Sequence, residues 1–440
     1  SSQFTVGSHV AVNGDGSTYV AYLFAHDEAV FGTDENESII KCGQFSSSSF
    51  TTNVDINLGF EPQFFLVKKS SGSGDWWMID TMRGFCSDGG NGPQNKVLRA
   101  NSSNQEGAEE YWRPTATGIS GFPSGSNDTY IYMAIRRPHK PPESGTEVFA
   151  VDTKGGTSPN PPTFNSGFPV DWSLYRPVNE DNSYFLGSSR LMGNKYLNTA
   201  SASPENTFST SMLTYDRNDG MGTDTSSDSL DLNWMFKRAA GFFDIVPYSG
   251  SGSASAYTHN LGVKPDLKIL KSRTTSQAWK VGFKEPSRKS MDLPYDDPVS
   301  SSGYFDAEDT ATTFYAKGGH SESGASGVNY IAYLFATLPG ISKIGSYTGT
   351  GNAVNVDCGF TNGARFVLIK RINGTGDWYV WDSVRGIVSG NDPYIRLNKS
   401  NAQVTNTDYV DPLSTGFTVT SSAPAALNTS GGTYLFLAVA

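Results

Sequence analysis

Apolar positions along this chain fall in short runs separated by clusters of Gly, Ser, Asn and Asp. Phe64-Phe65-Leu66-Val67, Phe366-Val367-Leu368-Ile369 and Tyr434-Leu435-Phe436-Leu437 are examples, and such runs of aromatic and branched residues read as strands. The run from Phe366 to Lys370 does not alternate with polar residues, which predicts a strand covered on both faces. Gly72-Ser73-Gly74-Asp75 and Gly374-Thr375-Gly376-Asp377 lie between runs and read as hairpin turns. No stretch carries an apolar stripe of helical period with caps at its ends.

The pattern repeats. Gly74-Asp75-Trp76-Trp77-Met78-Ile79-Asp80-Thr81-Met82-Arg83-Gly84 aligns without a gap on Gly376-Asp377-Trp378-Tyr379-Val380-Trp381-Asp382-Ser383-Val384-Arg385-Gly386. Upstream of these, Gly59-Phe60 and Phe64 to Lys69 match Gly359-Phe360 and Phe366 to Arg371. A weaker copy holds Leu261-Gly262 and Leu267 to Lys271, and the weakest keeps Gly167-Phe168. Each copy ends in an aromatic strand, beginning at Tyr19, Tyr130, Trp234, Tyr330 and Tyr434. The expected organisation is therefore β-sandwich domains at 37–137, 143–239, 240–338 and 341–440, with 1–25 as the last strands of a further domain whose body is missing. Units of about 100 residues with several short strands bury a core by stacking two sheets. The expected fold class is all-β, a tandem array of antiparallel, jelly-roll-like β-sandwich domains. Arg136-Arg137-Pro138-His139-Lys140-Pro141-Pro142 reads as a stiff, extended linker.

Composition agrees with many strands and tight turns: 47 glycines, 12% aromatic and only 17% charged residues. A net charge of −10 repels phosphate backbones and anionic lipid, which argues against nucleic acid and membrane as partners. No apolar run reaches the roughly 20 residues needed to insert through a bilayer. Cys42, Cys86 and Cys358 fit neither a disulfide framework nor a zinc site and read as small buried thiols.

Two carboxylates recur at fixed spacing, Asp75 with Asp80 and Asp377 with Asp382. A glycosidase also needs two carboxylates, but residues five apart on a strand face opposite sides of the sheet and cannot flank one bond. Asp80 with Arg83, and Asp382 with Arg385, instead suit a charge-assisted pair pinning the strand exit. No nucleophile–base set and no repeated histidine motif is present, so an enzyme is not expected. Trp76, Trp77, Trp378 and Trp381 are the candidate ligand-binding residues, because a flat indole face suits the C–H face of a sugar ring; core packing is their other reading. For calcium, the oxygen-rich loop with Asp224, Asp228 and Asp231 is the single candidate, and it lacks a glutamate at the spacing a calcium loop uses. It reads as a solvated acidic loop, and no metal or other cofactor is expected.

The motif set Gly-Phe, Phe366 to Lys370, Asp377-Trp378, Asp382, Arg385-Gly386, Gly416-Phe417, Asn428 and Tyr434 resembles a repeat of virion structural and tail-fibre-like proteins of marine tailed phages. Such modules resemble concanavalin-like or laminin-G-like jelly rolls. The resemblance implies a structural or adhesive virion appendage subunit at a virion surface or outside the cell. Its partners would be further copies or other virion proteins, with host surface glycan as a ligand class. A secreted or cell-surface carbohydrate-binding adhesin, and the accessory modules of a larger enzyme, are the other readings. Residues 1–25 either belong to a longer polypeptide or donate strands to a neighbouring subunit.

Overall fold

The computed structural model describes residues 3–26, 30–31, 37–48, 53–86, 95–109, 112–121, 127–154, 163–208, 213–223, 230–284, 289–300 and 309–440. Among them the chain is all-β, made of antiparallel sheets in which one strand plan is used four times. In each module the large sheet runs opening strand, closing strand, inner strand, motif strand, then a fifth strand. The opening strands are Ile40–Ser46, Phe149–Lys154, Phe243–Ser249 and Ser342–Thr348. The inner strands are Pro62–Lys69, Trp172–Pro177, Leu267–Ser272 and Phe366–Arg371. The motif strands are Trp76–Asp80, Leu186–Ser189, Lys280–Phe283 and Trp378–Asp382. The closing strands are Thr129–Arg136, Asp231–Phe236, Asn329–Phe335 and Thr433–Val439. The fifth strands are Asn95–Arg99, Lys195–Asn198, Ser290–Asp292 and Ile395–Arg396. A smaller sheet of two or three strands covers one face of each large sheet.

Register fixes which residues are equivalent. Phe64, Trp172, Leu267 and Phe366 open the inner strand opposite Ile135, Phe236, Phe335 and Val439 of the closing strand. Four residues along each inner strand stand Lys68, Arg176, Lys271 and Lys370, opposite Ile131, Leu232, Ile331 and Leu435. The repeated glycine before each inner strand (Gly59, Gly167, Gly262, Gly359) has φ between +72 and +80, a conformation that explains why glycine recurs there.

Each sandwich has its own core, built around Phe65 and Trp112, Phe164 and Met221, Leu270 and Phe314, and Trp381 and Phe417. A further core lies outside all four. It joins the uncovered faces of the large sheets of the second, third and fourth modules, with Trp172, Trp234, Phe236, Phe243, Tyr333, Phe335, Phe366 and Leu437. Trp172 lies 4.7 Å from Tyr333 and 5.5 Å from Phe243, and Phe236 lies 6.0 Å from Phe366, ring centre to ring centre. The inner strand of the last module is therefore covered on both faces, one by its sandwich and one by its neighbours.

Two segments stand outside the repeated strand plan. In the segment 136–142, Arg137 is buried, ion-paired with Glu61 and Asp244, and donates to the Arg238 carbonyl, so the first module is fastened to the second and third. In residues 3–26 the run Tyr19 to Phe24 forms no strand and its side chains are exposed; among the described residues every opening and inner strand already holds its own closing strand. The segment carries one helical turn, Val10–Asn13. Cys86 and Cys358 are buried thiols, as expected, while Cys42 is only half-buried.

Candidate functional site

The recurrent motif builds the same local structure twice. Arg83 donates from its backbone N–H to Asp80 Oδ1 at 2.9 Å and from Nε to Oδ2 at 2.7 Å. Arg385 does the same with Asp382 at 2.9 and 2.6 Å. The following glycines, Gly84 and Gly386, have φ of +116 and +133, so glycine is required for the chain to turn there. The pairs differ in surroundings. Asp80 and Arg83 are about one-fifth exposed, with side chains at 24% and 22%, whereas Asp382 and Arg385 are at 0% and 3%. Asp382 also accepts from Trp234 Nε1 of the second module at 3.0 Å, and the Arg385 guanidinium lies over the Trp234 ring.

Asp75 and Asp377 serve the hairpin. Asp377 accepts from Asn398 Nδ2 at 2.9 Å and Arg396 at 3.1 Å, while Asn398 Oδ1 accepts from the Trp378 backbone N–H. Asp75, Asn101, Arg99 and Trp76 repeat that clamp. The two carboxylates of each motif thus bind different partners.

Of the four candidate tryptophans, Trp378 and Trp381 are fully buried, Trp378 in the inter-module core and Trp381 in its own sandwich. Neither presents a face to a sugar, which corrects the ligand-binding expectation for them. The reason is that both faces of the last large sheet are covered. Trp77 is half-buried and Trp76 is 36% exposed. Trp77 lines an open cleft of about 240 Å³ in the first module, together with Trp112 and Tyr130. Ion pairs Lys69–Asp128 (2.8 Å) and Arg99–Asp75 (3.2 Å) stand at this cleft. Aromatic rings beside charged donors and acceptors suit a polyhydroxylated ring.

A functional element missed in the sequence is the cation of the inner strand. Lys370 Nζ donates to the carbonyls of Asp296 (3.0 Å) and Asp297 (2.8 Å) in the third module and Gly376 (2.7 Å) in its own. Lys271 Nζ donates to Ala202 of the second module at 3.0 Å. Arg176 donates to Lys399, Ser400 and Asn401 of the fourth, the last at 2.9 Å. Fourth grips third, third grips second, and second grips fourth, so the three modules close a head-to-tail ring. In register, Asp296, Ala202 and Ser400 are the same position, five residues beyond Met291, Leu197 and Ile395 of the fifth strands. Burial holds the Lys271 and Lys370 ammonium groups down to about 8. The signal was in the sequence, since a basic residue closes every inner strand, but an acceptor in another module could not be read there.

A second unforeseen element lies where the first module meets the ring. Arg238 bonds Glu61 at 2.8 Å and Asp171 at 3.2 Å, and Arg137 bonds Glu61 at 3.4 Å. Burial by itself would lower the Arg238 pKa, but Glu61, Asp171 and Asp244 outweigh it and raise it. Burial likewise pushes the Asp171 carboxyl up, but Arg238, Arg137 and Arg190 bring it below the usual range. Among the described residues no group of three His, Cys, Asp or Glu could hold a metal ion. Of the calcium loop, Asp224 and Asp228 lie outside the described residues; Asp231 is buried, and desolvation pushes its carboxyl up to about 6. Among the described residues no helix is long and apolar enough to cross a membrane.

These features define a tandem β-sandwich array in which three modules share one core. The chain belongs to the family described as domain of unknown function DUF7483, which it matches over residues 1–138 and 226–440. The unmatched part, 139–225, is most of the second module, the copy that departs furthest from the repeat. No curated protein matches the sequence.

Proposed function

We propose that this chain is a non-catalytic structural subunit of a virion appendage of the tail-fibre, spike or capsid-associated kind. The observation that carries the reading is the use to which the repeat's chemical residues are put. Trp378, Asp382, Arg385 and Lys370 are spent on holding modules to one another, as expected of a part selected for shape and rigidity. The resemblance of its motifs to tail-fibre-like repeats supplies the setting. Protein mass spectrometry across a density gradient tests it: the chain should band with particles carrying capsid proteins, and recovery only as free protein would overturn it. Purified protein should also leave glycans and esters intact.

The cleft beside Trp77 favours a second reading, an adhesin for surface glycan, which is compatible with an appendage or with a secreted protein. Glycan-array binding that is lost in Trp77→Ala would support it, and an array without any binding would exclude it.

A further inference from the structure

The first module has the same large sheet as the others, but not the same cover. In the ring, the outward face of each large sheet is buried against its neighbour. Phe185, Trp279 and Trp378, which are equivalent across the motif strand, are 0%, 1% and 0% exposed, and Leu232, Ile331 and Leu435 on the closing strand are 0%, 0% and 4% exposed. In the first module the same two positions are Trp76 at 36% and Ile131 at 40%. Beside them Phe64, Leu66, Met78, Leu98 and Met133 are half-buried. The face is thus apolar in sequence and open in place. It also keeps the gripping cation: Lys68 stands where Arg176, Lys271 and Lys370 stand, and its Nζ donates to the carbonyl of the adjacent Lys69 at 2.7 Å. The position that accepts this cation in the ring is also present: it is Ser103, five residues beyond Leu98 of the fifth strand, and it is exposed.

We propose that three copies of this chain associate through their first modules, with Lys68 of each reaching the Ser103 carbonyl of the next. The occupant follows from the ring. There, a face of this kind is covered by two others of the same plan, each gripping the next head to tail. A heterologous contact that turns by a third of a circle closes at three members. The first module offers both halves of that contact, cation and acceptor loop, and among the described residues no two other modules cover its face. Two further copies supply them. Trp76 and Ile131 would then be buried as Trp378 and Leu435 are, with an aromatic anchor at the centre of the interface. The inference is independent of a virion setting.

The test uses the full chain. Sedimentation velocity over a concentration series should show a species of three chain masses. Trp76→Arg and Ile131→Glu should each shift it to the single-chain mass while circular dichroism stays unchanged, since both side chains are exposed in one chain. Lys68→Met should raise the concentration at which the three-chain species forms, with circular dichroism unchanged. A wild-type chain that stays monomeric at every concentration would overturn the proposal. So would a dimer, trimers that survive both face substitutions, or trimers lost on deleting residues 3–26 but kept in the face variants.

Discussion

The ammonium of Lys370 lies 3.0 Å from the backbone carbonyl oxygen of Asp296, across the boundary between the fourth and third modules. A buried lysine donating to neutral carbonyls gives up its hydration and needs every donor satisfied. Three carbonyls do so here. Lys370→Met would leave those acceptors buried and unpaired, and should destabilise the ring by about 1–3 kcal/mol. Thermal unfolding of the full chain measures it. Because its folded pKa, about 8, lies below the unfolded value, the folded state holds fewer protons than the unfolded one between these values. The lysine's charged form therefore costs stability below about 8, and this cost should fade as pH rises above it.

The shared core makes the second, third and fourth modules one cooperative unit. Trp172 touches the rings of Phe236, Phe243, Tyr333 and Phe335. Trp172→Ala should cost about 3–5 kcal/mol and lower a single calorimetric transition for all three modules. Separate transitions for the three would contradict a shared core.

The two copies of the Asp–Arg pair should respond unequally. Arg385→Ala leaves the Asp382 carboxylate buried beside Trp234 and should cost about 3–5 kcal/mol. Arg83→Ala exposes a carboxylate that already meets solvent and should cost about 1 kcal/mol or less. Denaturant midpoints of the two variants compare them directly.

Acid should loosen the joint between the first module and the ring. Burial lowers the His139 pKa to about 4, helped by Arg137, Arg136 and Arg238, and its Nδ1 is buried without a hydrogen-bond partner. The unfolded chain binds this proton below about 6.5 and the folded chain only below about 4. The stability present at neutral pH is therefore lost as pH falls through that window. His139→Gln should flatten the pH dependence of unfolding between those values.

The repeat, the all-β class and the places where strands end were legible in the chain, because they depend on local chemistry. Glycine at Gly59 and Gly359 answers a positive φ, and Asp382 with Arg385 is a contact between residues three apart. Period and turn residues carry such information directly. What the sequence could not carry is which face of each sheet meets water. Trp76 and Trp378 stand at the same position of the repeat, each directly after Gly-Asp, yet one is exposed and the other buried, because three other large sheets, and not the first, close around a common core. Lys68 and Lys370 are likewise the same residue in the same register, and only the docking of one module on another gives Lys370 the carbonyls of Asp296 and Asp297. Contacts between residues tens to hundreds of positions apart have no local signature, so the tertiary structure alone decided them.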